Sequence, residues 1–120
     1  MANIILLQAL AELSYSIAMA DGELEPSEKK AFFEILDSEL NEDAWSAKNR
    51  FKLLEESVAP SIEQSYKFAM FAIKTNKDYF DNGLKTKFVN VIERVACAVD
   101  GLRSEEKKLI ERFKTDINSL

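Results

Sequence analysis

Two short stretches concentrate oxygen-bearing side chains at a turn. The first reads Asp21-Gly22-Glu23-Leu24-Glu25-Pro26-Ser27-Glu28-Lys29-Lys30 and the second Asp100-Gly101-Leu102-Arg103-Ser104-Glu105-Glu106-Lys107-Lys108. Omitting Glu23 aligns Asp21 with Asp100, Gly22 with Gly101, Leu24 with Leu102, Glu28 with Glu106, and the two Lys-Lys pairs. Each copy follows a small apolar run, Ile17-Ala18-Met19-Ala20 or Ala96-Cys97-Ala98-Val99. The repetition reads as an internal duplication. Carboxylates are hard oxygen donors, and a helix that ends beside them leaves backbone carbonyls free, so such a turn can hold a divalent cation. The candidate metal ligands are Asp21, Glu25 and Glu28 in the first copy and Asp100, Glu105 and Glu106 in the second, with Ca²⁺ or a similar ion as ligand. A lone turn supplies few donors, so the expected affinity is weak unless the two turns share one ion.

The same residues also have a purely mechanical reading. Gly22 and Gly101 sit where a helix would end, because glycine enters the left-handed conformation there without steric penalty. Pro26 suits the first turn of the next helix, Glu28 adds negative charge near its positive end, and Ser104 takes the capping place in the second copy. Two helix–turn–helix corners with no ligand therefore remain the alternative. An ordinary EF-hand is excluded. That loop needs oxygen ligands two and four residues before the Asp, and those places hold Met19 and Ile17, or Ala98 and Ala96.

With these motifs the chain resembles the TerB-like family, named for tellurite resistance and found also as the N-terminal domain of a membrane-anchored DnaJ-type co-chaperone. The resemblance rests on Ile17 to Gly22 with Glu28, on Ala96 to Gly101 with Glu106, and on a length matching one domain. It covers nearly the whole chain, the middle third only as helical pattern. It implies an all-helical bacterial protein of a tellurite or stress response, with acidic residues at the two turns that take a divalent metal, and no enzyme activity.

Composition narrows the function independently. Histidine is absent, which removes Ser-His and Cys-His nucleophile pairs, phosphorelay histidines and the usual zinc sites. Neither a Walker loop nor a Rossmann glycine pattern is present. The single Cys97 has no internal disulfide partner, which suits a reducing cytoplasm. As the equivalent of Ala18, Cys97 is expected to be a small buried residue.

Charge is unevenly spread. Residues 1 to 60 carry 12 acidic and 5 basic residues, whereas residues 61 to 120 carry 9 and 11. An acidic first half repels nucleic acid and anionic membrane, and offers cations or a basic protein partner an acidic helix face. The alternative is a solvated face, or a structural module that forms a homodimer.

The chain of 120 residues fits one domain spanning 1 to 120, and its 3 Gly and 2 Pro leave long helices uninterrupted. The apolar start imitates a signal peptide, but no Lys or Arg precedes it, Glu12 interrupts it, and it is too short and polar to span a membrane. Its stripe Leu6, Leu10, Leu13, Ile17 and Ala20 predicts a first core helix. A second helix over Pro26 to Leu40 places Ala31, Phe32, Ile35 and Leu36 on one face, with Phe33 and Leu40 flanking. Asn41 is expected to cap a third helix with the stripe Ala44, Ala47, Phe51, Leu54 and Val58, stopped at Ala59-Pro60, and Trp45 is expected to pack. Ser61 and Gln64 spell a capping box for a fourth helix carrying Ile62, Tyr66, Ala69 and Ile73. Thr75 to Gly83 reads as a loop or one short turn. The last pair repeats the first, with Phe88, Val91, Val95 and Val99 on Leu84 to Val99, and Leu109, Ile110, Phe113 and Ile117 on the final helix. The predicted fold is an all-α single-domain bundle in which two related helix–turn–helix units bracket a central helical hairpin. If those units pack face to face, the acidic turns come together.

Overall fold

The computed structural model describes residues 3–20, 26–58, 60–97 and 104–120, without the side chains of Glu28, Ser57, Val58 and Ser104. Among them are six α-helices, three short helical turns and no strand. The helices are α1 (Ile4–Ala18), α2 (Pro26–Leu40), α3 (Ala44–Leu53), α4 (Ile62–Thr75), α5 (Asn82–Cys97) and α6 (Ser104–Asn118).

Helix α1 is the axis of the bundle. Asn3 starts it, its Oδ1 accepting from the Ile5 and Leu6 amides at 2.8 and 3.3 Å. The sequence stripe predicts one buried face, but 12 of the 15 residues are buried, because α1 packs on α4, α3, α5 and α6 at once. Helix α4 lies antiparallel to it. Asn3 Nδ2 donates to Asn76 Oδ1 at 3.3 Å at one end, and Ser16 Oγ donates to the Ile62 carbonyl at 3.2 Å at the other.

Around this axis the predicted stripes fill the core. Phe32 and Leu36 of α2, Ala47 and Phe51 of α3, Tyr66, Ala69 and Ile73 of α4, Phe88 and Val91 of α5, and Phe113 of α6 are all at most 1% exposed. Phe51 joins three helices through its ring, lying 4.4 Å from Phe32, 5.9 Å from Phe33 and 5.8 Å from Tyr15 between centroids. Val95 is only partly buried against this core, and Val99 lies outside the described residues.

Several local expectations change. Asn41 does not cap α3. It takes a left-handed φ of 51° after α2, a conformation asparagine tolerates, and opens a 3₁₀ turn over Asn41–Asp43. Helix α3 begins without a side-chain cap and runs into a π-helical turn, Leu54–Val58, before Pro60. The Ser61–Gln64 capping box forms in both directions, at 3.1 and 2.9 Å. Between α4 and α5 stands a 3₁₀ turn at Lys77–Tyr79, and α5 starts two residues earlier than the pattern suggested because Asp81 Oδ1 accepts from the Leu84 amide at 2.8 Å. Trp45 does not pack in the core. It is 63% exposed, since the α3 stripe turns Ala44 inward and its neighbour out. Cys97 is likewise exposed rather than buried.

Candidate functional site

Of the helix limits next to the acidic stretches, the start of α2 at Pro26 is as the sequence predicts, whereas α1 ends two residues short of its stripe and Ser104 is the first residue of α6. Helix α1 closes at Ala18, with the Met19 amide donating to the Tyr15 carbonyl at 2.9 Å and the Ala20 amide to the Ile17 carbonyl at 3.2 Å. Helix α2 then starts at Pro26 and α6 at Ser104. Of the six candidate ligands, Asp21, Glu25 and Asp100 lie outside the described residues, as does the Glu28 side chain. Glu105 is exposed on the first turn of α6, and Glu106 beside it is 7% exposed. Among the described residues no three His, Cys, Asp or Glu side chains are grouped so as to hold a metal ion.

The described residues that flank the turns show how the two helix pairs meet. Arg94 of α5 reaches Glu39 of α2 at 2.7 Å. Cys97, three residues on, lines an open cavity of about 380 Å³ with Ala31, Glu34, Ile35 and Arg94. Helix α5 therefore runs toward the N-terminal half of α2, the helix that follows the first acidic turn.

The acidic face of α2 is partly neutralised by its neighbours. Asp37 pairs with Lys48 at 2.5 Å, Glu39 with Arg94, and Lys29 of α2 binds Glu55 at 2.5 Å. Glu34 and Glu42 remain exposed and outside any ion pair among the described residues.

Two charged networks had no counterpart in the sequence reading. Glu12, 3% exposed within α1, accepts from Arg50 Nη2 of α3 at 2.9 Å, and the Arg50 guanidinium lies 4.9 Å from the Phe68 ring. Glu12 Oε2 and Arg50 Nε are buried without a hydrogen-bond partner among the described residues. The available signal was Glu12 itself, a carboxylate in a helix that is apolar on all sides and thus in need of an internal cation.

The second network ties α4 to α6. Tyr66 Oη donates to Asp116 Oδ2 at 2.5 Å, and Arg112 forks onto Glu63 at 2.6 and 2.9 Å with its guanidinium 4.1 Å from the Tyr66 ring. Burial, and then the bond to Asp116, pushes the Tyr66 phenol well above its ordinary range. The Arg112 hydrogen bond holds the Glu63 carboxyl below its usual value, and Glu63 in turn raises Arg112. Tyr15 is also raised, by burial first and then by the nearby charges of Glu55 and Glu12.

The architecture is thus all-α among the described residues, and α1 and α5 each precede an acidic Asp-Gly stretch in the sequence. The family model of tellurite resistance protein TerB matches residues 7–117. The chain belongs to the TerB family and is a tellurite-resistance-associated domain. No curated protein matches it, and no solved structure does. No helix among the described residues is long and apolar enough to cross a membrane.

Proposed function

We propose that this domain is a non-catalytic binding module of a cytoplasmic tellurite or stress response, which takes a divalent cation weakly through its acidic turns. The observation that carries the reading is the duplication of an Asp-Gly turn with two following carboxylates, each copy placed between helices. Support comes also from the packing of α5, the helix that precedes the second acidic stretch, along α2, the helix that follows the first. The absence of histidine in the chain removes the commonest general base and agrees with a binding role.

Calcium titration by calorimetry into the wild type, Asp21→Asn, Asp100→Asn and the double variant tests this. The expected dissociation constant is on the order of 10⁻⁴ to 10⁻³ M. One shared ion predicts that either substitution abolishes most binding, whereas independent sites predict loss of about half the stoichiometry. No heat and no gain in thermal stability with millimolar Ca²⁺, Mg²⁺ or Mn²⁺ would leave the turns purely structural.

A second reading, docking of a basic protein partner on α2 and the 3₁₀ turn that follows it, is favoured by the exposed carboxylates of Glu34 and Glu42, which no ion pair within the described residues neutralises.

A further inference from the structure

We infer that the groove between α4 and α6, which none of the candidate metal ligands lines, is a docking site for an acidic protein segment with an apolar anchor. The groove encloses about 460 Å³. One wall is a single face of α4, formed by Lys67, Met70, Phe71 and Lys74, at positions i, i+3, i+4 and i+7. Arg112 and Asp116 of α6 form the other.

The polar groups inside the groove divide into those already satisfied and those left open. Asp116 accepts the Tyr66 hydroxyl, and Arg112 is forked onto Glu63, so these two charges are matched within the protein. Lys67 and Lys74 take part in no ion pair with the described residues. Two exposed ammonium groups without an ion pair among the described residues therefore stand on one helix face of a protein whose formal net charge is −5, although the Lys67 charge also helps to lower the Glu63 carboxyl one turn away. Between them Phe71 is 68% exposed, an aromatic ring left in water directly between the two ammonium groups in sequence. Aromatic anchors flanked by charge are where binding energy concentrates in protein interfaces.

The spacing selects the occupant. Seven helical residues separate the lysines, about 10.5 Å along α4 at the helical rise. A segment in the polyproline II conformation has three residues per turn and rises about 9 Å over them, so carboxylates at positions i and i+3 lie on one side and meet both lysines, while the residues between them flank Phe71 and Met70. The Tyr66–Asp116 and Arg112–Glu63 bonds hold the two walls together, so the groove is formed before a partner arrives and little ordering cost falls on the protein. An anionic bilayer fits less well, because two lysines supply little attraction to a charged surface.

The probe is a fluorescein-labelled, end-capped hexapeptide, Gly-Glu-Leu-Phe-Glu-Gly, followed by fluorescence anisotropy with the full chain. Saturable binding is expected. The double reversal Lys67→Glu with Lys74→Glu should weaken it at least tenfold, Phe71→Ala several-fold, and Lys85→Glu on α5 not at all. Raising the salt from 50 to 300 mM should weaken it, and a peptide with both glutamates replaced by lysine should not bind. All the substituted side chains are partly or fully exposed, and unchanged melting temperatures verify the fold of each variant. Three outcomes overturn the inference: no saturable binding up to millimolar peptide, equal binding by wild type and double reversal, or capture of phosphatidylserine vesicles through the same lysines without capture of the peptide. Loss of calcium binding in the turn variants leaves this titration unaffected, so the two readings fail separately.

Discussion

Ala18 and Cys97 hold matching places in the duplicated sequence, yet Ala18 is 5% exposed at the end of α1 whereas Cys97 stands in solvent at the end of α5. The contrast extends along both helices. Helix α1 is covered on all sides by four neighbours, whereas α5 buries the face of Phe88, Val91, Ile92 and Ala96 and exposes the other. Despite the similar local spelling, burial followed each helix's place in the bundle. The repeat therefore says little about the environment of the residues that precede the two acidic stretches.

The largest test of that asymmetry truncates one residue from each helix. Leu13→Ala should cost about 4 kcal/mol, because a fully enclosed site cannot collapse around the cavity, whereas Val95→Ala on the half-covered helix should cost about 1 kcal/mol. Urea denaturation gives both values. Equal losses would mean that the two units are equivalent after all.

Next in size is the internal charge that only α1 carries. Arg50→Ala leaves Glu12 buried without its cation and should cost about 3 kcal/mol, toward the lower end for buried pairs because Arg50 keeps some contact with water. Combining Arg50→Met with Glu12→Leu should recover most of the loss in the same denaturation assay. If the double variant is as unstable as Arg50→Ala, packing of the Arg50 stem and not its charge is what α1 requires.

The smallest effect concerns the α4–α6 contact. Tyr66→Phe removes one hydrogen bond and should cost about 1 kcal/mol at neutral pH. Because folding raises the Tyr66 ionisation above its ordinary 10.0, this stabilisation is complete below pH 10 and is lost as pH climbs beyond it. Melting temperatures between pH 8 and 11 should fall more steeply for the wild type than for Tyr66→Phe, and parallel curves would refute the link.

Features set by neighbouring residues were legible in the sequence. The capping box at Ser61 and Gln64 and the start of α2 at Pro26 each depend on a few adjacent positions, and both form as read. Asn41 was misread because capping a following helix and closing a preceding one demand the same residue types, and the choice between them turns on how α2 ends. Trp45 was misplaced by its size alone, although it falls one residue off the stripe through Ala44, Ala47 and Phe51. Glu12 with Arg50 and Tyr66 with Asp116 are 38 and 50 residues apart, so only the packing of distant helices brings them together. The acidic turns themselves, legible as a repeat, have their proposed ligation spread over two segments 79 residues apart, and the described residues fix only the helices on either side.

A helix enclosed by partners that all follow it in the chain has a consequence for how the molecule is made. Helix α1 precedes α3, α4, α5 and α6, and its last partner is complete only near Ile117. During synthesis the side of α1 that packs on α3 and α4 can close once Thr75 has emerged, whereas the side toward α5 and α6 stays open to chaperones or to another nascent chain until almost all the remaining sequence has emerged. Sequence-distant contacts of this kind slow folding even in an all-helical protein, because the loop must close before burial rewards it. The polar residues Glu12, Ser14 and Ser16 spaced through that helix lower its apolar character over the interval in which it stands uncovered.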